Sequence, residues 1–218
     1  RVHNKNAPNS CFALTNFSLS VTGIPVPQTP VPYEICDDLA SGTDTDGFVT
    51  SFVLATKDVE ILGTLSTTQY TISYHTTLLD AQTSSTTNPI DKGNPYRNTT
   101  VNTQQVFIRV ENNDNTNCFD ASKTMDLVVS PLPIITSFVE LKQCDNDTDG
   151  FSNFNLNEAA SDISTDFTNE TFVFYPTFAD AQSDSNAIIN AAVFTNRVVT
   201  TDTVWARAIT TFGCYRIA

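Results

Sequence analysis

The stretch Cys144–Phe151 reads CDNDTDGF and places three carboxylates at alternate positions just ahead of a glycine. Asp145, Asp147 and Asp149 occupy loop positions 1, 3 and 5, and Gly150 occupies position 6. Oxygen ligands at these positions followed by glycine form the first half of an EF-hand-type calcium loop, because a tight turn directs alternate side chains inward. The spacing therefore indicates a site for a hard divalent cation.

The remainder of this loop departs from a complete EF-hand. Phe151 offers a backbone carbonyl at position 7, and the side chain of Asn153 lies at position 9. Position 12, normally a bidentate glutamate, is Leu156, and the nearest acid beyond it is Glu158. The loop is closer to the short D-x-D-x-D-G calcium loops of extracellular repeats. We predict that it binds Ca²⁺, and the alternative is a solvated turn of the kind that Asp and Asn favour.

A second acidic stretch, TDTDGF, lies earlier in the chain and is a poorer match. Asp44 and Asp46 hold positions 3 and 5, whereas Gly42 occupies position 1. Asp37 or Asp38 could fold back across the loop and supply the missing ligand. A second Ca²⁺ site made from these four carboxylates is therefore also predicted, with one ligand recruited from outside the loop.

Both acidic stretches belong to a longer internal repeat. Each follows a cysteine, and Cys36 and Cys144 lie 108 residues apart (144 − 36). LLDAQTSS at Leu78–Ser85 matches FADAQSDS at Phe178–Ser185, and QVFIRVENNDNTNCF matches TVWARAITTFGCY. Self-similarity at a fixed spacing indicates a chain built from repeated structural units.

The repeat divides the chain into five parts. We call residues 33–130 the first copy and residues 136–218 the second copy, which lacks most of its last strand. Residues 25–32 and 131–135 are proline-rich and predict semi-rigid linkers. Residues 1–24 match the end of the first copy, so we predict that they are the C-terminal strands of a preceding copy.

Alternation of apolar and polar residues dominates each copy and predicts short β-strands. Short helical turns are expected at residues 57–63 and 157–163 and at the two DAQ segments. The fold class predicted from this pattern is all-β, with one antiparallel β-sandwich per copy. The strands are predicted at residues 48–55, 70–76, 104–112, 123–130 and 171–177.

Recurrence of cysteines at fixed places in the repeat favours disulfides formed in an oxidising compartment. The expected pairs lie within copies, Cys36–Cys118 and Cys144–Cys214, and leave Cys11 without a partner. The alternative pairs, Cys11–Cys36 and Cys118–Cys144, would join neighbouring copies and leave Cys214 unpaired. Zinc is not expected, because the sequence has no C-x-x-C.

Charge and motifs exclude several function classes. The formal charge is −13, so nucleic acid is an unsuitable partner. No apolar run approaches the roughly 20 residues needed to span a bilayer. Nucleophile elbows, phosphate loops and zinc-protease motifs are absent. His75 is expected to be a packing or surface residue, and Arg109 and Arg207 to be charged strand residues. We therefore expect no enzymatic activity.

The order of these segments resembles the repeats of very large cell-surface proteins of flavobacteria, including gliding-motility adhesins exported by the type IX secretion system. The resemblance rests on CD…DTDGF, YHTTLLDAQ…NP, YRNTTVNTQQVFIRVEN…NCFD and LVVSPLP. It covers essentially the whole chain and is stronger for the first copy. It implies tandem immunoglobulin-like domains in a repeat array, exposed outside the cell at the outer membrane.

We therefore expect a structural and adhesive repeat region that forms a stalk or filament stiffened by Ca²⁺ and disulfides. Its expected partners are neighbouring copies of the same chain, surface polysaccharide or other cell-surface proteins. One alternative is a carbohydrate-binding module array of a secreted enzyme, which needs a repeated aromatic patch near Trp205 and Phe107. Another is self-assembly, in which a neighbouring molecule completes the last strand of the second copy.

Overall fold

The computed structural model describes the backbone of residues 2–3 and 12–13 and all of residues 16–218. Over these residues the protein is predominantly β, with several antiparallel sheets and few helices. The strands are β1 (Val2–His3), β2 (Phe12–Ala13), β3 (Tyr33–Cys36), β4 (Tyr70–His75), β5 (Pro89–Ile90), β6 (Thr103–Asn112), β7 (Asn115–Ser130), β8 (Asn153–Phe154), β9 (Thr171–Tyr175), β10 (Phe194–Thr195), β11 (Trp205–Ile209) and β12 (Tyr215–Ile217). The α-helices are α1 (Asp58–Leu62), α2 (Leu78–Thr83), α3 (Ala160–Ile163) and α4 (Phe178–Ser183).

The strands form four sheets. A five-stranded sheet has the order β3-β7-β6-β4-β5, and a three-stranded sheet has the order β12-β11-β9. The two remaining sheets are the pairs β1-β2 and β8-β10. Registered pairs are antiparallel except for β3 and β7, which run parallel.

The described chain divides into two compact units. The first contains the described residues of Arg1–Pro30 together with Lys57–Ile90 and Phe107–Thr124. The second contains Val31–Thr56, Asp91–Val106 and Met125–Ala218. Strands β6 and β7 each contribute residues to both units.

In the first unit, helix α2 is positioned by its cap and by one buried residue. The hydroxyl of Thr77 accepts a hydrogen bond from the backbone N–H of Asp80 at 3.1 Å, which satisfies a free donor of the first turn. Within the helix, Ala81 is fully buried. The same arrangement recurs in the second unit, where Thr177 caps α4 through the N–H of Asp180 and Ala181 is buried.

Arg109 is buried in the first unit and is not a solvent-facing strand residue. Its Nε lies 2.8 Å from a carboxylate oxygen of Glu111, and its guanidinium donates a hydrogen bond to the carbonyl of Ala81 at 2.9 Å. The guanidinium also lies 3.6 Å from the centre of the Phe119 ring. A charged group in this position stays stable because its charge, its donors and its flat face all have partners.

Met125, Leu127 and Val129 alternate along β7 and are all buried in the second unit. Val49 and Phe52 of the first copy are buried in the same unit. This alternation follows from the period of two in a strand, which directs every second side chain to one face. In this unit, the last strand of the first copy therefore packs its apolar side chains into the core of that same copy.

The second copy has a smaller core. Its buried apolar cluster consists of Leu156, Ala159, Ile163, Phe174 and Ala206, and further apolar side chains pack against it only partly buried. Arg207 takes the place that Arg109 has in the first copy. It lies 3.5 Å from the centre of the Tyr215 ring and 3.4 Å from a carboxylate oxygen of Asp184.

One predicted strand is wrong. Residues 48–55 do not form a strand, because only Phe52 pairs there, in an isolated bridge with Tyr96. A 3-10 turn begins at Leu54, which is buried together with Val49 and Phe52. The buried residues are therefore spaced for a turn and not for an alternating strand.

Among the described residues, no helix is long and apolar enough to cross a membrane.

We expect Arg109→Met to lower the free energy of unfolding by about 3–5 kcal/mol, because Glu111 would remain buried without its counter-charge. Arg207→Met is the matched control, and its partner Asp184 is largely exposed. Urea denaturation followed by circular dichroism measures both losses. Equal losses in the two variants would show that the buried pair has no special role.

Candidate functional site

The topology of the first copy carries Cys36 to the place where the chain leaves that copy. Strand β3 runs parallel to the last four residues of β7, in a register that sets Cys36 opposite Ser130. The N–H of Asp37 then donates to the carbonyl of Ser130 at 2.9 Å. Cys36 therefore lies beside the start of the second linker although it opens the first copy.

Cys36 forms a disulfide with Cys214 of the second copy, and their Cα atoms are 5.5 Å apart. The Sγ atom of Cys214 lies 3.9 Å from the carbonyl oxygen of Ser130. The bond closes 178 residues of chain and joins the two copies covalently.

The predicted pairs Cys36–Cys118 and Cys144–Cys214 are not formed. Cys118 precedes Ser130 by 12 residues (130 − 118) in the same strand, whereas Cys36 pairs with the last residue of that strand. The two cysteines therefore belong to opposite ends of β7, and a disulfide needs Cα atoms within about 7 Å of each other.

Cys118 and Cys144 are free thiols in this structure. The thiol of Cys118 is partly buried and donates to the carbonyl of Thr22 at 3.3 Å, and Cys144 is exposed. The alternative pair Cys118–Cys144 is therefore not formed either. Its companion pair, Cys11–Cys36, is also not formed because Cys36 is bonded to Cys214, and Cys11 itself lies outside the described residues.

An ion pair accompanies the disulfide. Arg216 Nη2 lies 2.5 Å from a carboxylate oxygen of Asp44, and the two side chains are only 26% and 32% exposed. Asp44 comes from the first acidic loop, and Arg216 follows Cys214 by two residues. The first acidic loop therefore meets a basic side chain of the second copy.

Asp37 folds back towards the end of the first acidic loop. Its Oδ1 accepts the N–H of Asp38 at 2.8 Å and its Oδ2 accepts the N–H of Gly47 at 2.8 Å. In the second copy, Asp145 Oδ2 accepts the N–H of Gly150 at 2.7 Å. The two aspartates therefore fill equivalent places, one buried and the other exposed.

The glycine at the end of each acidic loop has a positive φ, +72° at Gly47 and +84° at Gly150. A Cβ atom would lie 2.3 Å from Oδ1 of Asn102 at the first glycine and 2.5 Å from Cγ1 of Val199 at the second. Both positions therefore require glycine for the backbone conformation and for the close approach of the neighbouring chain.

The second acidic loop brings its three predicted ligands together. Asp145, Asp147 and Asp149 each offer a carboxylate oxygen, and these oxygens all lie within 4.8 Å of one another. The carboxylate of Asp149 raises the pKa of Asp147 above its ordinary value. The N–H of Gly150 is the main cause of the lowered pKa of Asp145. The loop thus concentrates negative charge at an exposed position where a cation could bind.

The remaining predicted ligands make hydrogen bonds within the protein. Phe151 donates its N–H to Asp149, and the side-chain oxygen of Asn153 accepts the hydroxyl of Thr195 at 2.6 Å. In the first loop, Asp38 accepts the N–H of Ala40. Asp46 accepts the hydroxyl of Ser41 and the N–H groups of Thr43 and Phe48. Within the described part of the chain, the four first-loop carboxylates do not form a group of metal-ligand geometry.

One pair of site residues was not anticipated from the sequence. The side-chain oxygen of Asn98 accepts the N–H of Val49, and its amide group donates to the carbonyls of Gly47 and Thr100. Asn196 makes the same three contacts, with Ser152, Gly150 and Val198. Each asparagine therefore links the glycine that ends an acidic loop to the segment that precedes the following strand. The only sequence signal is an asparagine two residues after an aromatic, in YRN and FTN.

Removal of the disulfide by Cys214→Ser should lower the free energy of unfolding by about 5 kcal/mol in the loop-entropy estimate, because a long loop is released. Cys118→Ser and Cys144→Ser are matched controls and should change it little. Urea denaturation of the oxidised proteins measures the effect, and a non-reducing proteolytic map should contain Cys36 linked to Cys214. A map that instead links Cys36 to Cys118 would contradict the assignment.

The comparisons with known proteins agree with this junction. The family described as the Flavobacterium inter-domain disulphide bond domain matches residues 32–133 and 140–218, one match on each copy. A search of curated proteins and a search of solved structures each found no match. The two matched segments cover most of the sequence, and the chain belongs to the Flavobacterium inter-domain disulphide bond domain family.

Proposed function

We propose that this chain is a structural, non-catalytic part of a secreted cell-surface protein in which immunoglobulin-like copies follow one another as a stalk or filament. The observation that carries the proposal is the Cys36–Cys214 bond, because it joins the first copy to the second covalently. Disulfides persist in oxidising compartments, which supports a location outside the cell.

The contacts beside the disulfide favour a junction that resists tension. The ion pair between Asp44 and Arg216 adds a second attachment close to the covalent bond. The linker at residues 131–135 contains Pro131 and Pro133, which restrict the backbone. A covalent bond, an ion pair and a stiff linker together restrain the chain at the junction more strongly than a flexible connection would.

The same bond pattern can continue along an array. Cys144 precedes the second acidic loop as Cys36 precedes the first, and Cys118 precedes a ring stacked beneath an arginine, as Cys214 does. In our proposal, Cys144 pairs with a following copy and Cys118 with a preceding one. The resulting loops overlap, so each copy is bridged by a covalent bond to its neighbour on either side.

The role in adhesion rests on the resemblance to flavobacterial gliding-motility adhesins. In this proposal the protein reaches the outer-membrane surface through type IX secretion and contacts surface polysaccharide or other cell-surface proteins. The negative charge of the chain agrees with a surface that does not bind nucleic acid. The copies described here supply length and stiffness, and they need not contain the adhesive site.

A further part of the proposal is that Ca²⁺ binds the second acidic loop. The observation that favours it is the convergence of Asp145, Asp147 and Asp149. The first acidic loop is neutralised in another way, because Asp44 meets Arg216. The two loops thus share a backbone arrangement and differ in the source of positive charge.

The structural role predicts how the protein extends when it is pulled from both ends. The chain between Cys36 and Cys214 is bypassed by the disulfide, so it should not lengthen until the bond is reduced. Reduction should add about 600 Å of extension, from 178 residues at roughly 3.5 Å each. Force spectroscopy measures this length, and Cys214→Ser should show the full extension without a reductant.

The same measurement can test the continued bond pattern. A protein lengthened by one further copy after the second should protect Cys144 from thiol reagents and shorten the extension again. Cys118→Ser is the matched control in that protein, because no preceding copy is added. Full reactivity of Cys144 would contradict the pattern and leave the Cys36–Cys214 junction as an isolated bond.

Ca²⁺ should bind weakly, with a Kd of about 0.1–1 mM as in extracellular modules. At ten times the Kd it should stabilise the protein by about 1.4 kcal/mol. Binding should weaken as pH falls, because Asp147, with its raised pKa, is protonated before carboxylates of ordinary pKa. Calorimetric titration measures binding, and thermal melting with Ca²⁺ and with chelator measures the stabilisation.

The double variant Asp147→Asn/Asp149→Asn should abolish the response to Ca²⁺. Asp44→Asn is the matched control in the first acidic loop and should leave the response unchanged. An equal response in the double variant would place any bound Ca²⁺ elsewhere, and no response in the unaltered protein would identify the loop as a solvated turn.

A further inference from the structure

Two short proline-containing segments occupy equivalent places in the repeat. We call residues 25–28 (PVPQ) the first strap and residues 133–136 (PIIT) the second strap. They lie 108 residues apart (133 − 25), which is also the separation of Cys36 and Cys144. Both come from the proline-rich stretches for which the sequence predicts linkers.

Each strap donates one backbone hydrogen bond to the end of a short helix in the copy that follows it. The N–H of Gln28 donates to the carbonyl of Ile61, in α1, at 2.8 Å. The N–H of Thr136 donates to the carbonyl of Ile163, the last residue of α3, at 2.7 Å. Carbonyl groups in the last turn of a helix have no partner within the helix. The straps therefore satisfy acceptors that the two helices leave open.

The burial of the side chains also matches, position by position. Pro25 and Pro133, at the first position, are both buried. Val26 and Ile134, at the second position, are 75% and 77% exposed. A spacer without contacts to the protein would have no reason to bury its proline and expose the next aliphatic side chain in both copies. The pattern indicates an extended segment with one face against the protein.

Further contacts hold the third and fourth positions. Pro27 is buried, and Ile135 packs against the apolar cluster of the second copy and forms an isolated bridge with Ser164. A Cβ atom on Gly63 would lie 2.9 Å from Cγ of Gln28, and the φ of this glycine is +56°. The first strap therefore passes so close to the end of α1 that the residue after the helix has no room for a side chain.

Proline suits a docked segment for two reasons. Its ring fixes φ near the value of an extended chain, so less conformational entropy is lost when the segment docks. Its missing N–H also limits the donors of the first strap to Val26 and Gln28. Of these two residues, Gln28 donates to the helix, whereas the side chain of Val26 faces solvent.

We propose that each strap is an integral element of the copy that follows it, and that the end of the helix is a docking site for this extended segment. Strand β7 ends at Ser130 and the second strap begins at Pro133, so only Pro131 and Leu132 lie between them. A connection of two residues, one of them proline, is too short and too stiff to act as a flexible hinge. The proposal holds whether or not the copies form a stalk.

The first test is hydrogen exchange of single amides in the unaltered full chain, followed by NMR and corrected for intrinsic rates. The N–H groups of Gln28 and Thr136 should exchange at least about tenfold more slowly than those of Val26 and Ile134, because a paired amide must open before it exchanges. Val26 and Ile134 donate no backbone hydrogen bond to any described residue. Equal rates within each strap would overturn the proposal.

The second test places a charge at the buried first position of one strap. Pro25→Asp or Pro133→Asp should raise the exchange rate of the amide at the fourth position of that strap by about tenfold or more, and leave the other strap protected. Val26→Asp and Ile134→Asp are the matched controls, because they add the same charge at exposed positions, and they should change neither strap. The same rate in a proline variant and its control would contradict docking.

The third test inserts Gly-Ser-Gly-Ser between Leu132 and Pro133 of the full chain. Slow exchange at Thr136 should persist, because the strap belongs to the second copy. Its loss would show that the segment is held only by its connection to the first copy, which would overturn the proposal.

A reference amide in each copy separates release of a strap from unfolding. The N–H of Tyr96 donates to the carbonyl of Phe52 in the first copy, and the N–H of Ile188 donates to the carbonyl of Phe174 in the second, both at 2.8 Å. These amides should stay protected in every variant. Loss of that protection in a proline variant but not in its control would mean that the copy unfolds with its strap, which supports the same assignment.

Discussion

The parallel pairing of β3 with the end of β7 is the constraint on which the junction depends. A strand that opens a copy would ordinarily place its last residue far from the point where the chain leaves that copy. Here the parallel register sets Cys36 opposite Ser130, so the first cysteine lies beside the exit. Cys214 then approaches the same carbonyl that the N–H of Asp37 contacts. The disulfide between copies follows from a feature inside one copy.

An aspartate directly after a cysteine, Asp37 in the first copy and Asp145 in the second, shapes each acidic loop. Asp37 and Asp145 use the same carboxylate oxygen to accept the N–H of a glycine with positive φ. Asn98 and Asn196 then fix that glycine through its carbonyl. The shared hydrogen bonds hold the shape of the loop whatever neutralises its charge. This allows the loop to face a basic side chain in one copy and solvent in the other.

Sequence patterns predicted the local elements better than the long-range pairing. The two DAQ segments form helices because a threonine precedes each and caps it, and the QVFIRV segment forms a strand in the predicted hairpin. Residues 48–55 alternate in polarity, yet tertiary packing buries Val49, Phe52 and Leu54 around a turn. Cysteine spacing cannot determine connectivity, because it contains no information about which strand ends meet. The role of Asn98 was hidden for a similar reason, since asparagine is common in loops that make no buried contact.

The unequal cores of the two copies explain why a covalent junction matters physically. A unit of fewer than about 100 residues buries a modest share of its surface and is only marginally stable alone. The buried apolar cluster of the second copy has five residues. A disulfide does not improve that packing, but it reduces the freedom of the unfolded chain and fastens the hairpin beside Cys214 to the first copy. The better-packed first copy thereby supports the hairpin that bears Arg207 and Tyr215, which is one edge of the smaller core.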